Sequence, residues 1–492
     1  MRVLLINPPL DAVLRNAHVS PVTAFLFYNS APLGLLYLAA ALIEAGHEAL
    51  VVDAAAEQLD VAATVSRAES LRPDVLGIGA TTVGFESAVE LADALKGAMP
   101  AVPIVLGGHH VTLLPDLAMA HTSFDVGVLD EGERTLVELV EHLRGRRSID
   151  GIDGLVLRDG EGGLRFTKPR AKVKDLDSLP MPARHLLPAD LYRPIPIDEH
   201  GLPKFSMITS RGCPHRCVFC QKAGSGYRSH STDRILAEVK QVAHELGALD
   251  LAFVDSLFCL NKKRVWDICD ELIRQRPGIS WTCSSRVEVV DKPLLQRMAD
   301  AGCWRTRYGI ESGSARVLEF ISKGITKEII ERAITWTHEV GLRPKAFFIV
   351  GHLVDDRASI EESMAFARSI PLHDVTVQIN TILPRTRQAE LFAEDGAKYG
   401  RVLSGSTDLT SFWEPTFVPW GLEAEDLREL HRRFYREFYL RPEIVAWHLG
   451  TVRSARDVAK YLQAAGLFAF LFADRQLPSL GALARLVGIR EA

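Results

Sequence analysis

The most informative stretch of this sequence is Thr209-Ser210-Arg211-Gly212-Cys213-Pro214-His215-Arg216-Cys217-Val218-Phe219-Cys220. Its three cysteines have C-x3-C-x2-C spacing and directly follow a predicted strand. Thiolates are the usual ligands of iron–sulfur clusters, and a cluster of four irons normally takes four of them. Three thiolates leave one iron with an open position, where a small molecule can bind and be activated. The alternatives are structural thiols or a zinc site, but zinc prefers four ligands in paired spacing and His215 is the only further donor nearby.

The surrounding segment, residues 204–385, alternates predicted strands with amphipathic helices. Six such units predict a partial (β/α)6 barrel of parallel strands, whose chemistry lies at the C-terminal ends of the strands. The cysteines follow the first of these strands, so the pattern places them at the end of the barrel where chemistry is expected.

The rest of the chain divides into three further segments. Residues 1–146 contain five apolar strands that alternate with helices, which is typical of a flavodoxin-like (Rossmann-like) α/β domain that binds ligands at the carboxyl ends of its strands. Residues 147–203 combine a predicted hairpin with a run of prolines from Pro180 to Pro203, which predicts an extended connector. Residues 386–492 carry apolar residues at helical spacing and predict a helical C-terminal domain.

The cysteine loop and the barrel that follows it resemble the radical S-adenosylmethionine (SAM) superfamily. In that family three cysteines hold a 4Fe-4S cluster whose open iron binds SAM, and one electron from the cluster releases a 5′-deoxyadenosyl radical. The resemblance implies that Cys213, Cys217 and Cys220 are the cluster ligands. It also implies a set of SAM-binding residues at the strand ends: Phe219, Asp255, Ser256, Arg286, Glu311, Ser312, Ile349 and Gly351.

The chemistry of these residues agrees with the resemblance. Asp255 and Glu311 are acceptors at predicted strand ends and suit an ammonium group and ribose hydroxyls, although an acid there also caps a following helix. Phe219 offers a flat apolar face for adenine. The sequence departs from the family pattern after the fifth strand, where Gly351-His352-Leu353 replaces the frequent Gly-x-Pro. His352 is therefore either a site residue or an exposed one.

The strand ends of the N-terminal domain resemble the cobalamin-binding domain that precedes the barrel in one large branch of this superfamily. The implied cobalamin contacts are Asn7, Pro8, Thr81, Gly107, Gly108, His109, Glu131 and Gly132. Classical cobalamin domains supply a histidine to cobalt from an Asp-x-His-x-x-Gly loop after the first strand, and that motif is absent from this sequence. We therefore expect cobalamin to bind without a histidine lower ligand. A domain that keeps the fold but has lost the cofactor is the alternative.

Composition and charge restrict the class of function. The chain has 492 residues, with 57 Lys and Arg against 62 Asp and Glu, and the net charge of −5 argues against a nucleic acid as the main partner. No apolar run reaches the roughly 20 residues of a membrane span. All seven cysteines lie between Cys213 and Cys303, a pattern that indicates reduced thiols rather than paired secreted cysteines. We expect a cytoplasmic protein.

These observations predict a cobalamin-dependent radical SAM enzyme that methylates an unactivated carbon through a 5′-deoxyadenosyl radical and methylcobalamin. The alternative is a non-methylating relative, such as an oxidative ring cyclase of the anaerobic chlorophyll pathway. An RNA methylthiotransferase is disfavoured because no cysteine precedes Cys213, and the intact cysteine loop disfavours a cobalamin sensor without chemistry. An electron donor such as flavodoxin or ferredoxin is expected. The sequence identifies no catalytic acid or base.

Two further groups of residues have alternative interpretations. Aromatic side chains in the C-terminal segment predict a wall for a bulky, largely apolar small-molecule substrate, or else the core of that segment. They are Phe412, Trp413, Phe417, Trp420, Phe434 and Tyr435. The four cysteines after the loop have no paired spacing, so we expect them in the core rather than in a second cluster. They are Cys259, Cys269, Cys283 and Cys303.

Overall fold

The structure is a computed structural model that describes residues 1–10, 30–192, 198, 200–403, 414–452 and 457–458. The chain forms two compact units, Met1–Arg193 and Pro194–Ala492. Both units have the α/β architecture that the alternating sequence pattern predicts, and the fold class is confirmed. Nearly all of the predicted helical segment after residue 452 lies outside the described residues, as do the aromatic residues Phe412 and Trp413.

The first unit is built on one seven-stranded sheet with the order β2-β1-β3-β4-β5-β6-β7. Its strands are β1 (Arg2–Asn7), β2 (Glu48–Asp53), β3 (Val75–Gly79), β4 (Ile104–Gly107), β5 (Val126–Val128), β6 (Leu155–Arg158) and β7 (Leu164–Phe166). Its α-helices are Leu33–Glu44, Val61–Leu71, Phe85–Ala98, His109–Leu113, Pro115–Met119 and Gly132–Leu143. The first five strands are parallel and have the flavodoxin-like order. Strand β2 is added on one side of β1 and strands β3, β4 and β5 on the other, so the direction in which strands are added reverses between β1 and β3.

Strand β1 shows why this sheet is covered on both faces. Successive side chains of a strand point to opposite faces. Leu4 and Ile6 belong to one hydrophobic core, and Val3 and Leu5 belong to another on the other side of the sheet. A strand that is apolar at every position is therefore stable only between two layers of helices.

The hairpin that the sequence pattern assigned to a connector is part of the first sheet. Strand β6 pairs antiparallel with β5, and β7 pairs antiparallel with β6. Val156 and Leu155 of β6 contribute to the two cores on opposite faces. The hairpin thus extends the parallel sheet by an antiparallel edge, which apolar patterning over so few residues does not reveal.

The second unit contains a six-stranded sheet with the order β15-β14-β13-β12-β11-β8, in which all neighbours are parallel. The strands of this unit are β8 (Lys204–Met207), β9 (Ser210–Arg211), β10 (Arg228–Ser229), β11 (Asp250–Phe253), β12 (Ser280–Ser285), β13 (Cys303–Glu311), β14 (Arg343–Val350), β15 (Asp374–Ile379), β16 (Gly400–Val402) and β17 (Phe417–Pro419). Its α-helices are Thr232–Lys240, Lys262–Gln275, Lys292–Asp300, Ala315–Phe320, Lys327–Glu339, Arg357–Ser369, Arg387–Tyr399, Ala424–Tyr439 and Pro442–Gly450.

Helix Ala424–Tyr439 covers the edge strand β15. Tyr435 Oη accepts a hydrogen bond from the Val377 amide at 2.8 Å and donates to the Val377 carbonyl at 3.1 Å. Tyr439 Oη makes the same pair of contacts with Val375, two residues earlier on the strand. The outward-facing backbone groups of an edge strand need such partners when they are buried. Phe434 and Tyr435 lie in the same core as the barrel strands, so the core interpretation holds for these two aromatics.

Candidate functional site

The cysteine loop is closed by a short antiparallel ladder between β9 and β10. Gly212, the first residue of the loop, has φ 89°, a left-handed conformation that favours glycine. A Cβ at this position would lie 2.4 Å from the carbonyl oxygen of Gly226 on the other side of the ladder. Glycine at this position therefore lets the two ends of the loop approach each other.

Backbone contacts fix the centre of the loop on the barrel. The Val218 amide donates to the Ile321 carbonyl at 3.0 Å, and the Val218 carbonyl accepts from the Gln388 amide at 2.9 Å. The Cys213 amide donates to Ser225 Oγ at 3.0 Å. These contacts place all three predicted ligands on one anchored loop.

The three thiols differ in exposure. Cys217 is buried, whereas Cys213 and Cys220 are half-buried. Burial raises the pKa of the Cys220 thiol, and the nearby Cys217 and Cys213 thiols raise it further. Within the described ranges, no three His, Cys, Asp or Glu side chains form a ready-made metal-ion site. The fit to a 4Fe-4S cluster therefore rests on the donor set, three thiols on one loop at a strand end.

Arg286, which follows β12, contacts this loop directly. Its Nη1 donates to Cys217 Sγ at 3.2 Å. Its Nε donates to Glu288, and its Nη2 donates to the Lys323 carbonyl. The side chain is buried. The sequence pattern indicated a strand-end arginine here but not its contact with one of the predicted cluster ligands.

Asp255, two residues beyond β11, is buried with one carboxylate oxygen satisfied and the other free. Oδ1 accepts from the Thr209 amide at 3.1 Å, from Thr209 Oγ1 at 2.8 Å and from Ser210 Oγ. Oδ2 has no hydrogen-bond partner among the described residues. Burial raises the pKa of this carboxyl. A buried carboxylate oxygen without a donor is suited to an ammonium group, as the resemblance implies. The neighbouring Ser256 is exposed.

Glu311 and Lys323 form a buried ion pair at the end of β13. Lys323 Nζ donates to Glu311 Oε1 at 2.8 Å. Glu311 has φ 71°, unusual for a residue other than glycine. A Cβ at Gly309 would lie 2.4 Å from Glu311 Oε1, so the glycine makes room for the pair. The Ser312 hydroxyl is bonded within the protein, to Ser363 Oγ at 3.1 Å.

Phe219 lies between Lys323 and the segment after β14. Its ring centroid is 5.9 Å from Lys323 Nζ and 5.6 Å from the His352 ring. His352 is fully buried, and burial lowers its pKa to about 3, so its ring is neutral. It is a core residue of the strand end rather than an exposed one. Ile349 is half-buried, and Gly351 is buried with φ 85°.

The segment after β14 is held by a second buried acid. Asp355 Oδ2 accepts from the Gly351 and His352 amides, each at 2.9 Å, and Oδ1 accepts from Ser359 Oγ at 2.5 Å. Burial raises the pKa of this carboxyl to about 6. No sequence pattern singled out Asp355, because acidic residues before a helix are common caps.

In the first unit, the carboxyl edge of the parallel strands carries the predicted cobalamin residues. Gly107 has an ordinary φ, and a Cβ there would meet no described atom within 4 Å. Gly108 has φ 101°, and a Cβ there would lie 2.6 Å from the Ala80 carbonyl oxygen. Gly108 is therefore required by the close approach of its backbone to Ala80, whereas Gly107 borders open space among the described residues. The adjacent His109 and Thr81 are both exposed.

Asn7 has an internal partner that the sequence pattern did not predict. Its Nδ2 donates to Asp53 Oδ1 at 2.7 Å, and Tyr192 Oη donates to Asp53 Oδ2 at 2.9 Å. Pro8 follows directly in the chain and is buried. Glu131 and Gly132, after β5, are half-buried, and Glu131 Oε2 accepts from the Val173 amide at 3.1 Å. The structure thus brings the predicted residues to one edge, while Asn7 and Glu131 also have structural partners.

Comparison with known proteins agrees with the fold of both units. Residues 19–140 match the family model for the B12 binding domain, and residues 207–367 match that for the radical SAM superfamily. An uncharacterized methyltransferase of Pyrococcus horikoshii is 32% identical over 455 residues, which cover 90% of this chain and 94% of that protein. The chain belongs to the radical SAM enzymes that carry a B12-binding domain.

Other members of this family are also similar to the chain. The anaerobic magnesium-protoporphyrin IX monomethyl ester cyclase of Rubrivivax gelatinosus is 27% identical over 89% of this chain and 78% of its own. The solved structure of the cobalamin-dependent S-adenosylmethionine radical enzyme OxsB, with aqua-cobalamin and S-adenosylmethionine bound, superposes with a TM-score of 0.73. That match has 16% identity and covers 99% of this chain and 75% of OxsB, so it supports the fold alone.

The remaining cysteines of this radical SAM enzyme are core residues. All four later cysteines are buried as expected, and burial raises the pKa of the Cys269 thiol well above its usual range. Among the predicted aromatic wall residues, Phe417 is also buried, whereas Trp420 is exposed. Among the described helices, none is long and apolar enough to cross a membrane.

Proposed function

We propose that this radical SAM enzyme is a cobalamin-dependent methyltransferase that acts on an unactivated carbon. The observation that carries the proposal is the anchored three-cysteine loop in a chain that also has a B12-binding domain. The 32% identity of this chain to an uncharacterized methyltransferase, over 90% of its length, supports methyl transfer.

The residues present fit the three cofactors of such an enzyme. Cys213, Cys217 and Cys220 would hold the 4Fe-4S cluster, and the free Oδ2 of Asp255 would accept from the amino group of SAM. Gly107 and Gly108, at the carboxyl end of β4, would contact cobalamin, and a Cβ at Gly107 would meet no described atom within 4 Å. When bound, the cluster and SAM supply a radical that removes hydrogen from carbon, and cobalamin supplies the methyl group.

The chain's own part is to bind and orient. Asp255 is held by three donors on Oδ1, so its other oxygen stays fixed for an ammonium group. A bound ammonium would favour the charged carboxylate and so oppose the effect of burial on its pKa. Glu311, fixed by Lys323, would accept from ribose hydroxyls, and Phe219 would contact adenine.

The cluster is tested with Cys217→Ala and the matched control Cys269→Ala, which removes a buried thiol from a helix far along the chain. After anaerobic reconstitution, we expect the control to hold about four irons per chain and to produce 5′-deoxyadenosine from SAM, and the Cys217 variant to do neither. Production of 5′-deoxyadenosine by Cys217→Ala would refute the assignment.

Cobalamin binding is tested at the glycine edge. Gly107→Phe places a large side chain in the open space, so we expect it to lower cobalamin retention without lowering the free energy of unfolding.

We also expect the electron paramagnetic resonance spectrum of cob(II)alamin to show no nitrogen splitting from a protein histidine. Wild-type protein that retains no cobalamin would favour a domain that has lost its cofactor.

A ring cyclase is the second candidate, because a magnesium-protoporphyrin IX monomethyl ester cyclase is similar over 89% of the chain. The mass of the product separates the two reactions. One methylation adds CH2, or about 14 Da, whereas the cyclase inserts oxygen or removes hydrogen. For either reaction we propose a bulky, largely apolar small molecule as substrate, flavodoxin or ferredoxin as electron donor, and the cytoplasm as location, without a nucleic-acid partner.

A further inference from the structure

The contact between Arg286 and Cys217 has a consequence for the cluster itself, beyond the SAM-binding role that the resemblance implies. Nη1 lies 3.2 Å from Cys217 Sγ, within hydrogen-bond distance for sulfur. Arg286 and Cys217 are both less than a tenth exposed, so bulk water screens this contact weakly.

Arg286 is fixed in position by its other two nitrogens. Glu288 accepts from Nε, and the Lys323 carbonyl accepts from Nη2. A guanidinium that donates to three different acceptors has little freedom to turn away from the sulfur. The ion pair with Glu288 also offsets part of the cost of burying the charge.

We propose that Arg286 is a positioning residue that sets the reduction potential of the cluster by donating a hydrogen bond to the sulfur of Cys217. This proposal rests on the assignment of Cys217 as a cluster ligand. Reduction adds one electron to the cluster, with no bond made or broken. A cationic donor on a ligand sulfur stabilises the added negative charge, so the potential becomes less negative. The cluster is then easier to reduce by a donor of the flavodoxin or ferredoxin type.

The test is a potentiometric titration of the reconstituted protein without SAM, followed by electron paramagnetic resonance. In Arg286→Met we expect the reduced-to-oxidised ratio at a fixed potential to fall at least tenfold, which is about 59 mV for one electron. Arg286→Lys keeps the positive charge but cannot make all three hydrogen bonds, so we expect it to lower the reduction potential less than Arg286→Met does. With nitrogen-15-labelled arginine, pulsed resonance of the reduced wild-type cluster should show a coupling that Arg286→Lys lacks.

The matched control is Arg264, another buried arginine, which donates to Thr209 and to the Phe258 carbonyl rather than to a cluster cysteine. We expect Arg264→Met and Arg264→Lys to lower stability but to leave the potential unchanged. If Arg286→Met holds too little iron to titrate, the reduction potentials of the two lysine variants are compared instead. We expect the potential of Arg286→Lys to lie below that of the wild type and the potential of Arg264→Lys to equal it.

Two outcomes separate this inference from the proposed function. A wild-type potential in the Arg286 variants, together with weaker SAM binding, would mean that Arg286 only contacts SAM, and would overturn the inference while leaving the enzyme assignment intact. Wild-type protein that takes up no iron would instead refute the cluster assignment on which both depend.

Discussion

Gly212→Ala changes the residue that closes the cysteine loop. Alanine in the left-handed conformation costs about 1–2 kcal/mol. The new Cβ would also lie 2.4 Å from the Gly226 carbonyl oxygen, a backbone atom, so the β9–β10 ladder must move apart. Forced overpacking of this kind typically costs about 1–3 kcal/mol. The two terms together give about 2–5 kcal/mol, enough for the loop to relieve the overlap by opening.

Gly224→Ala is the matched control because Gly224 lies in the same loop with φ 67°, but no described atom lies within 4 Å of a Cβ there. Gly224→Ala therefore has the cost of placing alanine in the left-handed conformation but no overlap with a backbone atom. We expect Gly212→Ala to lose most of its iron after reconstitution and gel filtration, and Gly224→Ala to retain it. Denaturant unfolding should place the first variant about 1–3 kcal/mol below the second. Equal iron content and stability in the two variants would contradict the close-approach argument.

Three further changes test the packing of the second unit. Tyr435→Phe removes both hydrogen bonds to Val377, so urea unfolding should show a loss of about 1–3 kcal/mol; an unchanged midpoint would mean that water replaces the hydroxyl. Lys323→Met leaves the buried Glu311 without its cation and should cost about 3–5 kcal/mol, a loss that the double replacement with Glu311→Gln should partly restore. Because the pKa of Asp355 is raised from 3.8 to about 6 in the folded protein, the stabilisation it gives is present below pH 4 and lost as the pH rises through 6. Wild type should therefore lose about 3 kcal/mol relative to Asp355→Asn between about pH 4 and pH 7, and parallel stability curves for the two proteins would show that this carboxyl does not titrate as expected.

Much of the architecture could be predicted from the sequence because it depends on local patterns. Apolar strands alternating with helices specify parallel strands with both faces covered, and the parallel strands of both large sheets form as expected, whereas the antiparallel edge β6–β7 of the first sheet was not predicted. Cysteine spacing is also local, so the spacing alone singles out Cys213, Cys217 and Cys220 as the candidate cluster ligands. Acids and glycines at strand ends could also be placed from the sequence, because the carboxyl ends of parallel strands all lie at one edge of the sheet.

The partners of those residues depend on contacts between distant parts of the chain. Arg286 reaches Cys217 across 69 positions, and Tyr435 reaches Val377 across 58. No periodicity or spacing encodes such pairs, because they form only when separate strands and helices pack side by side. The burial of His352 is decided in the same way, by the elements that cover the end of β14. The sequence by itself therefore determined which elements and candidate cofactor ligands exist, and the tertiary structure decided which side chains position them.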